Sequence, residues 1–139
     1  MGQTEAATTS IDLGHRFVAA IVAHDWDGVA ACFAPGAEFR AVVPNAERPF
    51  RELTGGEAAA VQIKKWFGDA DMTELLTSSV EQVADQIRVM YRIHEHEPDG
   101  WYLVEQVAYV TPSDEGFAKM RLACSGFRPV GSDPEPTTD

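Results

Sequence analysis

Three runs of alternating apolar and polar residues dominate the second half of the chain. They span residues 86–97, 101–110 and 117–127, and short connections rich in Gly, Pro and Asp separate them at 98–100 and 112–116. Alternation with a period of two is typical of strands that are buried on one face, and such connections favour hairpins. The pattern therefore predicts three antiparallel strands that pair in sequence order.

The two faces of this predicted sheet differ in character. The outer face mixes charged residues such as Arg88, Arg92 and Arg121 with apolar ones such as Met90 and Tyr109. It is too apolar to be left bare, which predicts a homodimer through this face. The inner face is mostly apolar and must be covered by helices from elsewhere in the chain. Its predicted members are Ile87, Val89, Tyr91, Ile93, Tyr102, Val104, Gln106, Ala108, Val110, Ala118, Met120, Leu122 and Cys124.

The start of the chain predicts the first covering helices. Residues 10–24 carry apolar side chains at helical spacing, and Thr9 or Ser10 is suited to cap this helix. Asp25 is expected to cap a short second helix over 26–33. The first helix is expected to lie across the sheet.

The middle of the chain carries strand, loop and helix signals in turn. Residues 38–43 alternate as a strand, and residues 45–53 have the composition of a polar loop. Thr54 and Glu57 have the spacing of a capping box, in which each side chain binds the other residue's backbone amide. A helix is therefore expected from this box to about Phe67.

The predicted elements form a single domain over residues 10–130. Residues 1–9 are expected to be flexible, and residues 131–139 are expected to be a disordered acidic tail. Within the domain, residues 73–83 predict a further strand, for which the pattern does not decide the inward face.

Composition narrows the possible functions. A chain of 139 residues, 45% of them hydrophobic, is long enough for one domain with a core. Its formal net charge of -11 opposes binding to nucleic acid or to an anionic membrane, since both require clustered Lys and Arg. No apolar run approaches the roughly 20 residues of a membrane span, so a cytoplasmic location is expected. Cys32 and Cys124 are interpreted as small buried hydrophobic residues.

The order of the predicted elements resembles the nuclear transport factor 2-like superfamily. The stretches that carry the resemblance are Phe-Ala-Pro at 33–35, Thr-Gly-Gly at 54–56 and Cys-Ser-Gly-Phe at 124–127. The resemblance implies an α+β conical barrel, in which a curved, mostly antiparallel sheet wraps around helices and encloses a pocket. The superfamily includes ketosteroid isomerases, SnoaL-like polyketide cyclases, epoxide hydrolases, dehydratases, pericyclases and binding modules.

The ketosteroid isomerase branch permits a comparison residue by residue. Its chemistry uses a carboxylate base and an oxyanion hole made from a tyrosine and a protonated aspartic acid. The positions of this chain that resemble the tyrosine, the base and the protonated acid are Phe17, Ala41 and Gln106. Phe17 cannot donate a hydrogen bond and Ala41 cannot take a proton, so isomerisation by that arrangement is not expected.

The resemblance implies a pocket that is aromatic and aliphatic, with Gln106 and Tyr91 as candidate catalytic residues. Such a pocket suits a hydrophobic, polyketide-like substrate that is held in a reactive shape while a polar group polarises its carbonyl. This predicts a cofactor-independent cyclase or isomerase of secondary metabolism, including the possibility of a pericyclase. The predicted substrate-binding residues are Phe17, Ile21, Phe39, Ala41, Val43, Trp66, Val89, Val104 and Met120.

Two alternatives stay open. The protein could be a non-catalytic binding protein for an apolar small molecule. It could also be an epoxide hydrolase or a dehydratase, which requires inward carboxylates or a pair of a histidine and an acid. Glu81, Asp85 or Glu95 could supply a carboxylate only if the predicted strand registers are wrong.

The histidines give weaker signals. His94 and His96 lie on the same side of a predicted strand, but two ligands without a third do not make a zinc site, and no metal or cofactor is expected. The segment that holds them is interpreted as a solvated strand end. His24 beside Asp25 or Asp27 is a further candidate for proton transfer.

Overall fold

The computed structural model of the protein describes residues 2–134, with side chains from residue 9 onward. The helices of this part are α1 (Gly2–Val22), α2 (Trp26–Ala31) and α3 (Gly56–Phe67). The strands are β1 (Phe33–Val42), β2 (Phe50–Thr54), β3 (Met72–Val83), β4 (Gln86–Glu97), β5 (Gly100–Ser113), β6 (Gly116–Cys124) and β7 (Arg128–Val130). Among the described residues, no helix is both long and apolar enough to cross a membrane.

The strands form one curved, mixed sheet in the order β2-β1-β6-β5-β4-β3, with β7 beside β5. All neighbouring strands are antiparallel except β1 and β6, which are parallel. The outermost strand β3 carries a bulge between Leu75 and Thr77. The predicted α+β class and cone-like fold are confirmed, although the sheet does not close on itself and ends at β2 and β3.

The predicted pairing of β4, β5 and β6 is confirmed. Tyr91 lies opposite Gln106 as expected from the first hairpin, and the second hairpin continues the same face on β6. Ala118 is the exception. A bulge after Thr111 shifts the register, so that Phe117 is fully buried while Ala118 is partly exposed.

Helix α1 begins at Gly2, well before the predicted cap at Thr9 or Ser10. That cap is wrong, since both residues lie inside the helix. The division of the chain into 1–9, 10–130 and 131–139 stays a prediction. Met1 and residues 135–139 of the predicted acidic tail lie outside the described residues.

The predicted cap of α2 is confirmed and that of α3 is wrong. The Asp25 side chain accepts a hydrogen bond from the Gly28 backbone amide at 2.9 Å. Helix α3 instead begins after Gly55, which has a φ of 93° and offers no capping side chain. Thr54 is the last residue of β2, because pairing with β1 extends the strand through the end of the predicted polar loop. The capping box at Thr54 and Glu57 is therefore not formed.

Aromatic rings fill the middle of the inner sheet face. The ring of Phe17 on α1 lies 6.1 Å from Phe33, 6.2 Å from Tyr91 and 5.9 Å from Phe117, in edge-to-face arrangements. Phe17, Tyr91 and Phe117 have no exposed surface, and Phe33 is also buried. Such pairs add to the free energy of burying the rings, so this cluster fixes α1 across the sheet.

Candidate functional site

The two predicted catalytic residues are in contact with each other. The Tyr91 hydroxyl donates a hydrogen bond to Gln106 Oε1 at 2.6 Å, and Gln106 Nε2 donates to Cys124 Sγ at 3.3 Å. Tyr91 and Gln106 are completely buried, and this burial raises the pKa of Tyr91 well above its ordinary value. The structure thus brings the pair together and satisfies it internally. A catalytic role for either residue stays a prediction.

The predicted substrate-binding residues lie on the inner side of the sheet and on the helices that cover it. Phe39 contacts Trp66, with ring centroids 6.4 Å apart, and Phe17 belongs to the ring cluster. Packing against each other accounts for the burial of these side chains, so their contact with a substrate stays a prediction. The buried members are Phe17, Ile21, Phe39, Ala41, Val43, Val89, Val104 and Met120, and Trp66 is partly buried.

Glu95 is a buried acidic residue, although the sequence predicted a solvated strand end at this position. It continues the inner face of β4 two residues beyond Ile93 and has 0% exposed surface. The predicted register is correct and Glu95 still points inward, whereas it was expected inward only if the register was wrong. The signal was present, since the alternation continues past Ile93. A solvated strand end was expected because the sequence does not show what packs over it.

The Glu95 carboxyl group has unusual surroundings. Neither of its oxygens has a hydrogen-bond partner among the described residues. Burial raises the pKa of Glu95 to about 9, helped by the Glu97 carboxylate, which lies close enough to attract the Glu95 proton and also repels a negative charge on Glu95. Glu95 is therefore a neutral carboxylic acid at neutral pH, able to donate a hydrogen bond or a proton.

Two strands flank Glu95 with polar side chains. Thr73 on β3 and Tyr102 on β5 lie directly opposite Glu95 in the sheet register. The Tyr102 hydroxyl donates to Asp99 at 2.8 Å, and the Thr73 hydroxyl lies 2.9 Å from His24 Nε2. The hydroxyl groups of both neighbours are thus bonded to residues other than Glu95.

His24 occupies an unusual backbone position at the end of α1. Its φ is 56°, a left-handed conformation in which glycine is the usual residue. The His24 amide donates to the Ile21 carbonyl at 3.1 Å, and the Asp25 amide donates to the Ala20 carbonyl at 2.8 Å. This pair of bonds defines a Schellman motif, which ends the helix and turns the His24 side chain toward β3.

The His24 side chain is held from two sides. Its ring stacks on Trp26 at 5.1 Å, and its Nε2 atom contacts Thr73. Asp25 was a predicted partner of His24, but its carboxylate caps α2. His24 thereby joins the α1–α2 connection to the strand position opposite Glu95.

His94 and His96 lie on the opposite side of β4, and both contact Trp101. Their rings are 4.6 Å and 4.8 Å from the Trp101 ring. His94 Nε2 contacts the Gly131 carbonyl at 3.1 Å, and His96 Nδ1 contacts Asp71 at 2.8 Å. In the part of the chain that the structure describes, no three His, Cys, Asp or Glu side chains are placed to hold a metal ion.

The outer sheet face contains a groove of about 430 Å³. Its exposed apolar side chains are Phe50, Val42 and Tyr109, which are 66%, 49% and 42% exposed. Arg40 and Arg121 lie beside them. This groove lies on the face that the sequence predicts to form a homodimer.

No protein-family model and no curated protein sequence matches the chain. Solved structures do. An LEH-like epoxide hydrolase from M. tuberculosis is 13% identical with a TM-score of 0.63, covering 85% of this chain and 84% of that chain. A proposed polyketide cyclase from Pseudomonas putida KT2440 is 14% identical with a TM-score of 0.64, covering 81% and 89%.

A third solved structure has a similar fold. An NTF2-like protein from Burkholderia xenovorans LB400 is 14% identical with a TM-score of 0.61, covering 84% of this chain and 88% of that chain. The chain has the nuclear transport factor 2-like fold. Proteins with the NTF2-like fold catalyse different reactions, so the function of this chain depends on its own side chains.

Proposed function

We propose that the chain is a cofactor-independent enzyme of cyclase or isomerase type that acts on a hydrophobic small molecule, with Glu95 as its acid. The observation that carries this proposal is the complete burial of a carboxyl group without a hydrogen-bond partner among the described residues. Such a group costs free energy, and buried acids with a raised pKa are concentrated at functional sites.

The proposed role of Glu95 follows from its protonation state. A neutral carboxylic acid in apolar surroundings donates a hydrogen bond to a substrate oxygen as negative charge develops there. The apolar walls would hold a flexible chain in the shape that reacts. Closure of a polyketide-like ring, pericyclic closure or migration of a double bond next to a carbonyl would all benefit from this polarisation.

The inward position of Glu95 also supports the epoxide hydrolase or dehydratase alternative. The same acid could protonate an epoxide oxygen or a departing hydroxyl group. The alternative of a non-catalytic binding protein requires only the apolar walls and a hydrogen bond from Glu95. A cytoplasmic location stays a prediction.

The test replaces Glu95 by glutamine, which keeps the shape of the side chain but cannot release a proton. Purified protein is incubated with β,γ-unsaturated ketones, linear polyketone thioesters and styrene oxide, and products are identified by mass spectrometry. Because general acid catalysis contributes about 100-fold or more, Glu95→Gln should lower kcat at least about 100-fold with little change in KM. Glu81→Gln, at an exposed position of β3, is the matched control.

The results of this test distinguish the three candidate functions. Turnover of a ketone or thioester that depends on Glu95 supports a cyclase or isomerase, and hydrolysis of styrene oxide supports the epoxide alternative. Equal turnover by the wild-type protein and Glu95→Gln would refute the role of Glu95. Binding of these compounds without any turnover would favour the binding protein.

We further propose that the outer face forms the homodimer interface expected from the sequence. It exposes Phe50, Val42 and Tyr109 around the groove and carries both arginines and glutamates, including the Arg92–Glu105 ion pair at 3.0 Å. Sedimentation of the wild-type protein should give a dimer, and Phe50→Glu should give a monomer with unchanged helix content. A wild-type monomer at micromolar concentration would contradict this assignment.

A further inference from the structure

Glu95 and Thr73 lie directly opposite each other on neighbouring antiparallel strands. The Cβ atoms of such residues are about 4.5–5.5 Å apart, so their polar atoms can reach one small group from both sides. The Glu95 carboxyl group has no hydrogen-bond partner among the described residues, whereas the Thr73 hydroxyl is bonded to His24. The two side chains therefore differ in the hydrogen bonds that they can still form.

His24 determines what Thr73 can offer. A threonine hydroxyl has one hydrogen to donate and two lone pairs that accept. If the Thr73 hydrogen is donated to His24 Nε2 across their 2.9 Å contact, the Thr73 oxygen remains as an acceptor. Stacking on Trp26 and the Schellman motif hold His24 in position for this contact.

Glu95 offers the opposite capacity. It is completely buried, and burial together with the nearby Glu97 carboxylate keeps it protonated at neutral pH, so it presents an O–H donor. One donor and one acceptor thus lie opposite each other on adjacent strands. A ligand hydroxyl group is complementary to this arrangement, because its oxygen accepts and its hydrogen donates.

We propose that Glu95 and Thr73 together bind one hydroxyl group of an apolar ligand, with His24 as the positioning residue for Thr73. Glu95 donates to the ligand oxygen, Thr73 accepts the ligand hydrogen, and His24 accepts the Thr73 hydrogen. The ligand class is therefore hydroxyl-bearing apolar compounds, namely alcohols, phenols and enols. This inference rests on the proposed function for the ligand's place on the inner face, and it names the substrate class.

The experiment compares three naphthalene probes that differ only in the substituent at position 2. Naphthalene has no oxygen, 2-methoxynaphthalene has an oxygen without a hydrogen, and 2-naphthol has both. Equilibrium dialysis measures the Kd of each probe for the wild-type protein and for variants. The wild-type protein should bind 2-naphthol about tenfold more tightly than 2-methoxynaphthalene, because one further hydrogen bond forms in a buried site.

The variants assign each hydrogen bond to its residue. Thr73→Val has nearly the same shape as threonine but no hydroxyl, so the preference for 2-naphthol over 2-methoxynaphthalene should disappear. Thr73→Ser restores the hydroxyl and should restore the preference. Glu95→Leu should weaken 2-naphthol and 2-methoxynaphthalene equally, since both lose the bond to their oxygen, and should leave naphthalene unchanged.

His24 is tested by variants that separate its backbone from its side chain. His24→Gly suits the positive φ and removes the imidazole, so the protein should stay folded while the 2-naphthol preference falls. The control is His15→Gln, at an exposed position of α1, and it should leave the 2-naphthol preference unchanged. Glycine is not used at His15 because it would weaken α1. Thermal unfolding verifies that each variant is folded.

Two results would overturn the inference. One is a 2-naphthol preference that persists in Thr73→Val, and the other is equal or absent binding of the three probes by the wild-type protein. Neither result depends on turnover. If Glu95→Gln abolishes turnover while Thr73→Val leaves the preference unchanged, the proposed acid stands and the hydroxyl site does not. If the preference depends on Thr73 while turnover does not depend on Glu95, the reverse holds.

Discussion

Tyr91 and Glu95 lie on the same face of the same strand, and both are completely buried. Tyr91 has Gln106 opposite it and is hydrogen-bonded to it at 2.6 Å. Glu95 lies opposite Thr73 and Tyr102, whose hydroxyl groups contact His24 and Asp99 instead. Burial alone therefore does not identify a functional side chain. What distinguishes Glu95 is that its neighbours are bonded elsewhere.

The same difference separates two regions of the inner face. Around Tyr91, the rings of Phe17 and Phe117 pack on a polar pair that is satisfied internally. Beside Glu95, the His24 side chain contacts Thr73 on the neighbouring strand, and neither carboxyl oxygen of Glu95 has a hydrogen-bond partner among the described residues. The middle of the face therefore contributes to the stability of the fold, whereas the end of β4 holds a carboxyl group without a hydrogen-bond partner among the described residues.

The largest expected effect on stability is in the ring cluster. Phe17→Ala should lower the free energy of unfolding by about 3–5 kcal/mol, because it leaves a cavity among rings that cannot fully collapse. Urea unfolding measures this, with Val61→Ala at an exposed position of α3 as the control. The pKa of Glu95, measured by carboxyl carbon NMR, should not move in whatever fraction remains folded. A loss below about 1 kcal/mol would mean that the cluster does not hold α1 on the sheet.

The second expected effect is a pH dependence of stability. Since the pKa of Glu95 is raised from 4.5 to about 9 on folding, the folded state binds more protons between these values. The free energy of unfolding should therefore fall as pH rises through this window, by at most about 1.4 kcal/mol per pH unit. The contribution is fully present below pH 4.5 and is lost by about pH 9.

Glu95→Leu tests this dependence directly. The variant should lack this slope and should be more stable than the wild-type protein near pH 8, because leucine buries no polar atom. Chemical unfolding at several pH values measures both differences, and Glu81→Gln should keep the wild-type slope. Parallel slopes for the wild-type protein and Glu95→Leu would show that Glu95 is ionised in the folded state.

The smallest expected effect concerns the satisfied pair. Tyr91→Phe should lower the free energy of unfolding by about 1–2 kcal/mol, because Gln106 Oε1 loses its donor while it stays buried. Adding Gln106→Leu should recover part of this loss, since no buried acceptor then remains. Thermal unfolding of the single and double variants measures the coupling. If Tyr91→Phe left the free energy of unfolding unchanged, the hydrogen bond between Tyr91 and Gln106 would not stabilise the fold. The pair would then be as available to a ligand as Glu95 is.

The sheet could be predicted from the sequence wherever alternation was long and bounded by turns. The extents of β3 and β4, and the pairing of Tyr91 with Gln106, followed from a period of two and short hairpins. The strand β2 could not be predicted, because Phe50 and Leu53 do not alternate with a period of two and the pairing of the strand depends on β1. Likewise, the capping box at Thr54 failed because sheet pairing extends through that residue.

The candidate site was less predictable for a related reason. The inward direction of Glu95 is readable from the alternation, but its burial depends on what covers the end of β4, which the sequence does not state. The contact between His24 and Thr73 joins residues that are 49 positions apart. Only the fold brings them together, since neither residue belongs to a local motif that would identify the other.

The open sheet has a further consequence for association. An edge strand presents unpaired backbone groups on which another chain can add a strand. On β3, the bulge between Leu75 and Thr77 interrupts the regular spacing of those groups, and Glu74 and Glu81 place negative charge along the strand. An approaching copy brings a net charge of -11 to this edge. Unwanted strand addition, and the fibrous aggregates that follow from it, are thereby disfavoured at the β3 edge.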